Sequence, residues 1–512
     1  MARYGFVIDQ RKCIGCHACT VACKSENLVP LGVYRTWVKY VEKGTFPHTR
    51  RSFTVLRCNH CDDAPCVTIC PTKALFRRPD GIVDFDPQRC IGCKSCMQAC
   101  PYDAIYIDPL TNTAAKCNYC SHRVDQGLLP ACVVVCPEKA IIAGDLDDPT
   151  SEIHQLVARE PVTVRKPEQG TRPKLFYLGA DEANLTPEVQ TRPTSYLWAE
   201  VRPDDRPPEA VRSAEYLPGP ADARVVYDVW HPKPWGWKVA SYLWTKSIAS
   251  GALGLGGPFL AAGLLHDQLA LSLGAPVIAM VFLALTALLL IWDLKRPERF
   301  WYLLLKPNPR SWLVWGGYIL LVAGALAFAW AVASLFGWTG AQRALAWLAL
   351  PGGIAAAGYT AFLFGQAEGR DFWQSPLLFP ALLAQAAVAG GAVLLLLTNI
   401  AGSPYEQQRW LALATLAGLL TLAVLVASEL LLPHPNLHVA KAAHLLTHGP
   451  YRVELLGLGV SVGVLVPTLA LALGWAAGDL TVWGTIAAVA ALVGLWSYER
   501  IWVAAGQDVP LS

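Results

Sequence analysis

The sequence predicts two parts of different fold class. An α+β head is expected over residues 1–192 and an all-α bundle of eight transmembrane helices over 237–512, joined by a connector at 193–236. Of the 512 residues, 54% are hydrophobic and only 16% are charged, which argues against a wholly soluble or a disordered chain. All 16 cysteines lie between Cys13 and Cys136, whereas the apolar excess follows residue 236.

The cysteines form four groups of four. Groups one and three have the spacing Cys-x2-Cys-x2-Cys-x3-Cys, group two has Cys-x2-Cys-x4-Cys-x3-Cys, and group four has Cys-x2-Cys-x11-Cys-x3-Cys. Pro101 and Pro137 follow the last cysteines of groups three and four. The groups are, in order, Cys13, Cys16, Cys19 and Cys23; Cys58, Cys61, Cys66 and Cys70; Cys90, Cys93, Cys96 and Cys100; Cys117, Cys120, Cys132 and Cys136.

This spacing is typical of proteins that bind [4Fe–4S] clusters. Three thiolates on one tight loop reach three irons of a cluster, while the fourth cysteine begins a helix that points away and serves a second cluster. Structural zinc sites usually combine two Cys-x2-Cys pairs, and disulfides belong to small exported domains. Four such groups therefore predict four clusters. None has a vacant ligand position, so we expect the head to move electrons and not to convert a substrate.

The pairing of the groups follows from the gap between groups two and three. Its 19 residues, Pro71 to Arg89, are predicted to form a short helix and a hairpin, as in a two-cluster ferredoxin unit, so each cluster takes three cysteines from one group and the last from the other. Groups one and four then pair across this unit; sequential pairing is the alternative. The nested pairing predicts set A (Cys13, Cys16, Cys19, Cys136), set B (Cys23, Cys117, Cys120, Cys132), set C (Cys58, Cys61, Cys66, Cys100) and set D (Cys70, Cys90, Cys93, Cys96).

The head resembles a known family of electron-transfer subunits. With its four cysteine groups, including Cys58-Asn59-His60-Cys61 followed by Ala64-Pro65-Cys66, it looks like the four-cluster subunit of the dimethyl-sulfoxide-reductase and polysulfide-reductase family. The resemblance covers about residues 3–180. It implies nested pairing and docking on a separate molybdopterin-containing catalytic chain. Substrate conversion is then expected on that other chain.

The connector is predicted from its prolines. Residues 193–234 contain eight of them, a composition that favours an extended segment over a folded domain.

Eight apolar runs after Trp237 are long enough to span a bilayer. An even number of spans returns the chain to the side of the head. The runs cover residues 239–265, 274–292, 312–336, 344–366, 377–398, 409–432, 453–474 and 481–503.

Histidines in the tail region give no indication of a haem. A haem b requires axial histidines that face each other inside the bundle, so we expect a haem-free tail. The histidines lie outside the predicted spans or at their ends: His231, His266, His434, His438, His444 and His448.

Ionisable residues of the predicted spans gather toward the head side. Charges inside a membrane are costly and usually mark a ligand site or a proton path, although Glu454 and Glu499 are expected at the membrane surface. The residues are Lys246, Asp293, Glu368, Glu429, Glu454 and Glu499.

Three of these residues, Lys246, Asp293 and Glu368, together with Tyr359, predict a quinone site. A quinone needs a hydrogen-bond donor at each carbonyl and a base that takes its protons. Lys246 lies roughly 15 Å into span one, deeper than a loop charge. We expect a pocket among spans one to four, under the head and open to lipid. Lys246 or Tyr359 would donate, and Asp293 or Glu368 would accept protons.

The tail resembles the haem-free, quinone-reacting (NrfD-like) membrane anchor of polysulfide reductase and its relatives. The similarity lies in the segments 293–300, 308–312, 359–363 and 499–503 and extends over about 236–505. In that family the head and the anchor are usually separate chains, whereas here they are fused.

Together, these features predict electron transfer between a membrane pool of menaquinone or ubiquinone and a separate catalytic subunit. The alternative is an iron–sulfur, quinol-oxidising subunit of a complex that feeds a cytochrome. A structural protein with zinc-filled cysteines is the remaining alternative. The formal net charge of +3 without a basic run gives no indication of nucleic-acid binding.

The side of the prokaryotic cell membrane that the head faces is left open by the sequence. Loops on the head side carry ten Lys and Arg residues against two on the far side, which favours a cytoplasmic head. Many relatives of this type hold the head outside. The first ten residues contain no apolar run, so no cleavable signal is expected.

Overall fold

The computed structural model describes residues 2–44, 47–191, 223–264 and 269–512. In these ranges the head has eleven strands and seven short helices. The strands are β1 (Tyr4–Asp9), β2 (Thr36–Lys43), β3 (Arg50–Arg57), β4 (Leu75–Arg77), β5 (Val83–Phe85), β6 (Ile105–Ile107), β7 (Ala114–Lys116), β8 (Ile141–Asp145), β9 (Val162–Thr163), β10 (Leu175–Leu178) and β11 (Ala223–Tyr227). The helices are α1 (Ala18–Glu26), α2 (Pro65–Ile69), α3 (Ser95–Ala99), α4 (Ser121–Val124), α5 (Ala131–Val134), α6 (Glu152–Arg159) and α7 (Glu182–Leu185).

The centre of the head repeats one short unit twice. A cysteine loop leads into α2 and the hairpin β4–β5, and a second loop leads into α3 and the hairpin β6–β7. Around this centre lie a four-stranded sheet in the order β8-β1-β10-β9, with β1 and β10 parallel, and a three-stranded sheet in the order β11-β2-β3. The head core packs apolar residues such as Ile69 and Val55 against the cysteines.

One part of the predicted connector is a strand of the head. β11 pairs antiparallel with β2, with Val225 opposite Val41, and Val229 enters the head core. The segment 223–227 contains no proline and carries two valines and a tyrosine, residues that suit a pleated surface. The extended connector predicted over 193–236 is therefore wrong for this segment, and residues 192–222 lie outside the described residues.

The tail consists of long helices. Seven are long and apolar enough to cross a membrane. They include α16, whose middle, Leu455–Leu465, is π-helical. The tail helices are α8 (Trp237–Ala261), α9 (Leu269–Asp293), α10 (Tyr302–Leu305), α11 (Trp312–Leu335), α12 (Thr339–Gly365), α13 (Leu378–Ile400), α14 (Tyr405–Leu431), α15 (Leu437–Thr447), α16 (Arg452–Ala477) and α17 (Leu480–Asp508).

Helix α8 lies at the centre of this bundle. Sixteen of its 25 residues are buried, and it packs against α9, α12, α13 and α17. Small residues permit the close approach: a Cβ on Gly251 would lie 1.9 Å from the carbonyl oxygen of Ala386, and a Cβ on Gly353 would lie 2.6 Å from that of Ser250. α8 carries a lysine, serines and glycines inward and is not one of the seven helices above.

Candidate functional site

The structure brings together the same cysteines as the nested pairing. One cavity is lined by all four cysteines of set A, a second by those of set B and a third by those of set D. In set C, the thiols of Cys61 and Cys66 have Cys58 and Cys100 as electrostatic neighbours.

The chemistry of these donors fits a polynuclear cluster better than a single metal ion. Within the described ranges, no three His, Cys, Asp or Glu side chains converge closely enough to hold one ion, yet four thiols surround each of three cavities. Burial raises the pKa of the Cys19 thiol to about 11 and that of Cys117 to about 12. Without positive metal charge these thiols would stay protonated near neutral pH, whereas bound iron would stabilise thiolates.

The four sets follow one another in a single line. Cys19 of set A has Cys132 of set B as an electrostatic neighbour, and Cys117 of set B has Cys58 of set C. Cys96 of set D has Cys66 of set C in the same relation. The order is therefore A, B, C, D.

The two ends of this line face different surroundings. Cys16 of set A is exposed on the head surface. Cys93 of set D lines a cavity at the membrane helices, and its carbonyl accepts a hydrogen bond from the Trp235 indole at 3.4 Å. Set D is thus the set next to the tail.

The loop after α9 holds the cysteine loops of set D. The backbone N–H of Lys295 donates to Gly92 O at 3.1 Å, and Arg299 Nη1 donates to Cys90 O at 3.0 Å. Asn308 Nδ2 donates to Cys70 O at 2.8 Å. Gly92 has φ +68°, and a Cβ there would lie 2.6 Å from Lys295 Cβ, so glycine is required for this contact. The segments 293–300 and 308–312 therefore join head and tail.

A second contact joins the head to the end of α17. Arg370 is buried and donates to Gln98 Oε1 at 2.9 Å and to the carbonyls of Gln507 and Val509 at 3.0 and 2.9 Å. Arg165 Nη2 donates to Leu511 O at 2.8 Å.

The cavity beside Cys93 has a volume of about 610 Å³ and lies between the head and helices α8, α9, α11 and α12. Its wall is mostly apolar. Along α11 it extends from Leu313 to Phe328, roughly 22 Å at the helical rise. The side chains with polar groups on its wall include Ser95, Tyr242, Asp293 and Tyr359.

Asp293 forms an ion pair with the head. Lys94 Nζ lies 2.7 Å from Asp293 Oδ2, and both side chains are largely buried. Lys94 directly follows Cys93 and has φ 65°. Desolvation lowers the pKa of Lys94, while the Asp293 carboxylate opposes this shift. The pair links a cysteine loop to the wall of the membrane cavity.

Comparisons with known proteins agree with both parts of the chain. Residues 228–510 match the family described as "Polysulphide reductase, NrfD". Residues 49–146 match a "4Fe-4S dicluster domain" and residues 11–34 a "4Fe-4S binding domain". This protein belongs to the NrfD polysulphide reductase family. It is a multi-pass membrane protein with an iron–sulfur head.

Curated relatives match a length comparable to that of the head. A tetrathionate reductase subunit of Salmonella typhimurium is 48% identical over 203 residues, 39% of this chain and 81% of the relative. Protein NrfC of Escherichia coli is 49% identical over 177 residues, 34% of this chain and 79% of the relative. One of the polysulfide reductase chains of Wolinella succinogenes is 45% identical over 179 residues, 34% of this chain and 93% of the relative.

Within the NrfD region, the structure unites two of the four predicted quinone residues. Asp293 and Tyr359 line the cavity, whereas Lys246 and Glu368 do not. Lys246 is fully buried behind Tyr359, with its Nζ 5.6 Å from the ring centre. It donates to Ala357 O at 2.8 Å and Thr360 Oγ1 at 2.9 Å.

Glu368 and Glu499 also differ from the sequence expectation. Glu368 follows α12 outside the cavity wall, where burial raises the pKa of its carboxyl. Glu499 was expected at the membrane surface, but it is fully buried in α17 and has Lys246 as an electrostatic neighbour. The burial of a side chain depends on which helices pack around it, and the sequence of one helix does not show those neighbours.

Sequence reasoning missed Lys94, Trp235 and Tyr242 at this site. Lys94 lies in a cysteine motif, and its position between two cysteines of one motif was a signal that it would be held near a cofactor. Nothing in the sequence indicated that it would reach a residue 199 positions further along the chain.

Proposed function

We propose that this chain transfers electrons between a membrane quinone pool and a separate catalytic subunit through four [4Fe–4S] clusters held by sets A to D. One observation carries the proposal: Cys93 of set D lines the same cavity as Asp293 and Tyr359. A molecule in that cavity touches both a cluster-ligand loop and polar groups that can exchange protons. When bound, the clusters would accept and release single electrons.

The cavity suits a quinone in size and shape. Its volume of about 610 Å³ lies in the range of small-molecule sites. Its polar groups include Asp293 at the head end of α9, and apolar side chains continue along α11 to Phe328. A polar head-group beside Cys93 and an isoprenoid tail along α11 would match this arrangement.

The chain's own residues supply the proton chemistry. Oxidation of one quinol releases two electrons and two protons. The Asp293 carboxylate, held by Lys94, accepts the proton of one quinol hydroxyl, releases it to the water that its 16% exposed side chain reaches, and then accepts the second proton. Tyr359 donates a hydrogen bond to the other oxygen, and Lys246 packs behind the Tyr359 ring. The apolar side chains of the wall exclude water from the head-group.

The proposal includes a partner at the exposed end of the line. Relatives of the head are named as parts of tetrathionate and polysulfide reductases. By analogy, a molybdopterin-dependent subunit would exchange electrons with set A, near the exposed Cys16. Substrate conversion would take place on that subunit.

We further propose that α8 is the eighth span. Like α9, it has 25 residues, and it packs against four helices of the bundle. Its polar residues, Lys246, Ser247 and Ser250, are buried and so would not face lipid. A haem-free bundle is also proposed, because the histidines of the described tail lie outside the eight long helices.

A cytoplasmic head is supported by the excess of basic residues. Arg296, Arg299 and Arg370 donate to groups of the head. These three of the ten basic head-side residues are therefore explained by the contact between head and tail. The remaining seven head-side residues still exceed the two on the far side. Cleavage of the head by protease in right-side-out spheroplasts would contradict this orientation.

Reduction of the purified protein with a quinol tests the function. We expect iron for four clusters and reduction of the cluster signals in EPR spectra after addition of a menaquinol or ubiquinol analogue. Zinc in place of iron, or clusters that no quinol reduces, would contradict the proposal. A copurifying molybdenum subunit is expected, whereas a copurifying multihaem cytochrome would favour the cytochrome-linked alternative.

A further inference from the structure

Arg57 is a buried cation whose side chain forms no ion pair with a carboxylate among the described residues. It ends β3 directly before Cys58, is 1% exposed and lies 4.7 Å above the centre of the Phe6 ring. Its Nη1 donates to Cys132 Sγ at 3.0 Å, while Nε and Nη2 have no hydrogen-bond acceptor in the described ranges. The groups that stabilise its charge include the thiols of Cys132, Cys117 and Cys19. A buried cation without a counterion is costly, so this site requires a nearby anion.

Set B has side-chain nitrogen donors to its sulfurs, whereas the cations beside other sets, Lys116 near Cys66 and Arg299 near Cys90, donate to carbonyl oxygens. Besides Arg57, Asn27 Nδ2 lies 3.7 Å from both Cys23 Sγ and Cys120 Sγ. The nitrogen donors found on the remaining sets in the described ranges are backbone groups, such as Ala140 N to Cys136 at 3.3 Å and Ala114 N to Cys90 at 3.4 Å. A charged side chain therefore donates to sulfur at set B, in the interior of the line.

We propose that Arg57 raises the reduction potential of the cluster at set B and makes this position the one that stores an electron. The inference rests on the proposed function of the four sets. Reduction adds one negative charge, and a cation in a buried site stabilises that charge more strongly than it would in water. Hydrogen bonds to the sulfurs act in the same direction.

Storage at set B would separate the two electrons of one quinol. When bound, a cluster at set B would take one electron from the cluster at set C and pass it to the cluster at set A, with no net redox change. An electron held at set B would leave the cluster at set D free to accept the second electron. Arg57 is a positioning residue in this scheme, because it touches a cluster ligand and never the quinone.

The test is an EPR-monitored redox titration of the full-length protein with Arg57→Met. We expect an unchanged iron content and one cluster whose midpoint potential falls by about 59 mV or more, a tenfold change in its reduced-to-oxidised ratio. The signals of sets C and D should stay in place. Asn27→Leu should move the same signal in the same direction by less, which assigns it to set B.

Two further variants keep the inference testable. Arg57→Lys keeps the charge without the planar fork, so its shift should be smaller than that of Arg57→Met. Arg78→Met is the control, since Arg78 lies in the head and pairs with Asp80 and Asp125, not with sulfur; no comparable shift is expected there.

Unchanged potentials in Arg57→Met with full iron content would overturn the role of Arg57. If the Arg57→Met protein does not bind four clusters, Arg57→Gln replaces it, because glutamine is neutral but polar. The midpoint potentials of Arg57→Gln and Arg57→Lys are then compared. Equal potentials in these two variants would show that the charge has no effect and that Arg57 is structural only. Absence of cluster signals in the unmodified protein would instead contradict the proposed function.

Discussion

The cysteine cavities of the head and the cavity at the membrane differ in what encloses them. Short loops close around sets A, B and D, and twelve of the sixteen cysteines that we assign to the four sets are buried. The membrane cavity has helices for walls, and several of its lining residues, among them Leu321 and Phe328, are exposed.

This difference fits the proposed function, in which the head keeps its cofactors and the membrane cavity exchanges its ligand. Loops fixed by backbone hydrogen bonds, such as Gly92 N to Cys90 Sγ at 3.4 Å, would hold a bound group in place. A cavity about 610 Å³ in volume, walled by apolar helices, would admit a molecule from the bilayer and release it there again. Lys94 and Asp293 stand where the two kinds of site meet.

The largest expected effect follows removal of Cys93, the proposed iron ligand of set D that lines the membrane cavity. Cys93→Ala should lower the iron content by about a quarter and abolish reduction of the remaining clusters by quinol, because set D is the entry to the line. EPR spectra after quinol addition measure this. Cys16→Ser is the matched control: it should lose a similar amount of iron but keep quinol-driven reduction of sets B to D. Equal behaviour of both variants would refute the order of the sets.

Loss of the proton acceptor should have the next largest effect. Asp293→Asn removes the charge that Lys94 holds and the base at the cavity, so quinol-linked turnover should fall about 10²-fold with all clusters intact. Lys246→Met should lower quinol-linked turnover less, because Lys246 packs behind the Tyr359 ring and does not line the cavity. Glu298→Gln, an exposed carboxylate near the same loop, is the control. Normal quinol kinetics in Asp293→Asn would disprove this site.

A smaller effect is expected from narrowing the apolar end of the cavity. Gly324 lines it, and an added Cβ would meet nothing within 4 Å, so Gly324→Leu should fold normally. The KM for a long-tailed quinol should rise about tenfold, or ~1.4 kcal/mol, with little change in kcat or in the use of a short-tailed quinol. Gly457→Leu, also in open space on another helix, should leave both values unchanged. An equal effect on short-tailed quinols would argue against a tail in this region.

The smallest effect concerns a residue that sequence reasoning placed at the site. Glu368→Gln should change quinol turnover by less than about twofold, or ~0.4 kcal/mol, because Glu368 lies outside the cavity wall. Steady-state kinetics beside Asp293→Asn provide the comparison. A loss as large as that of Asp293→Asn would return Glu368 to the proton chemistry.

Spacing along the chain made the head more predictable than the tail. A cysteine motif fixes which sulfurs share a loop, so the four sets followed from local sequence and one gap length. The quinone site depends on which helices become neighbours, and apolar helices give few signals of that. Asp293 and Tyr359 both reach the cavity wall, whereas Lys246 and Glu368 face other neighbours.

The contacts of Arg370 and Arg165 with residues 507–511 have a consequence for how the molecule is made. The head meets the tail at the loop after α9 and again beyond α17, so its docking cannot finish until every membrane helix between these points has been synthesised and inserted. The head precedes the tail in the chain, yet its docking on the tail is completed only after the last helix has been made. Until then the loops of set D lack the covering that the tail provides, and their cluster would be open to oxidants during biosynthesis.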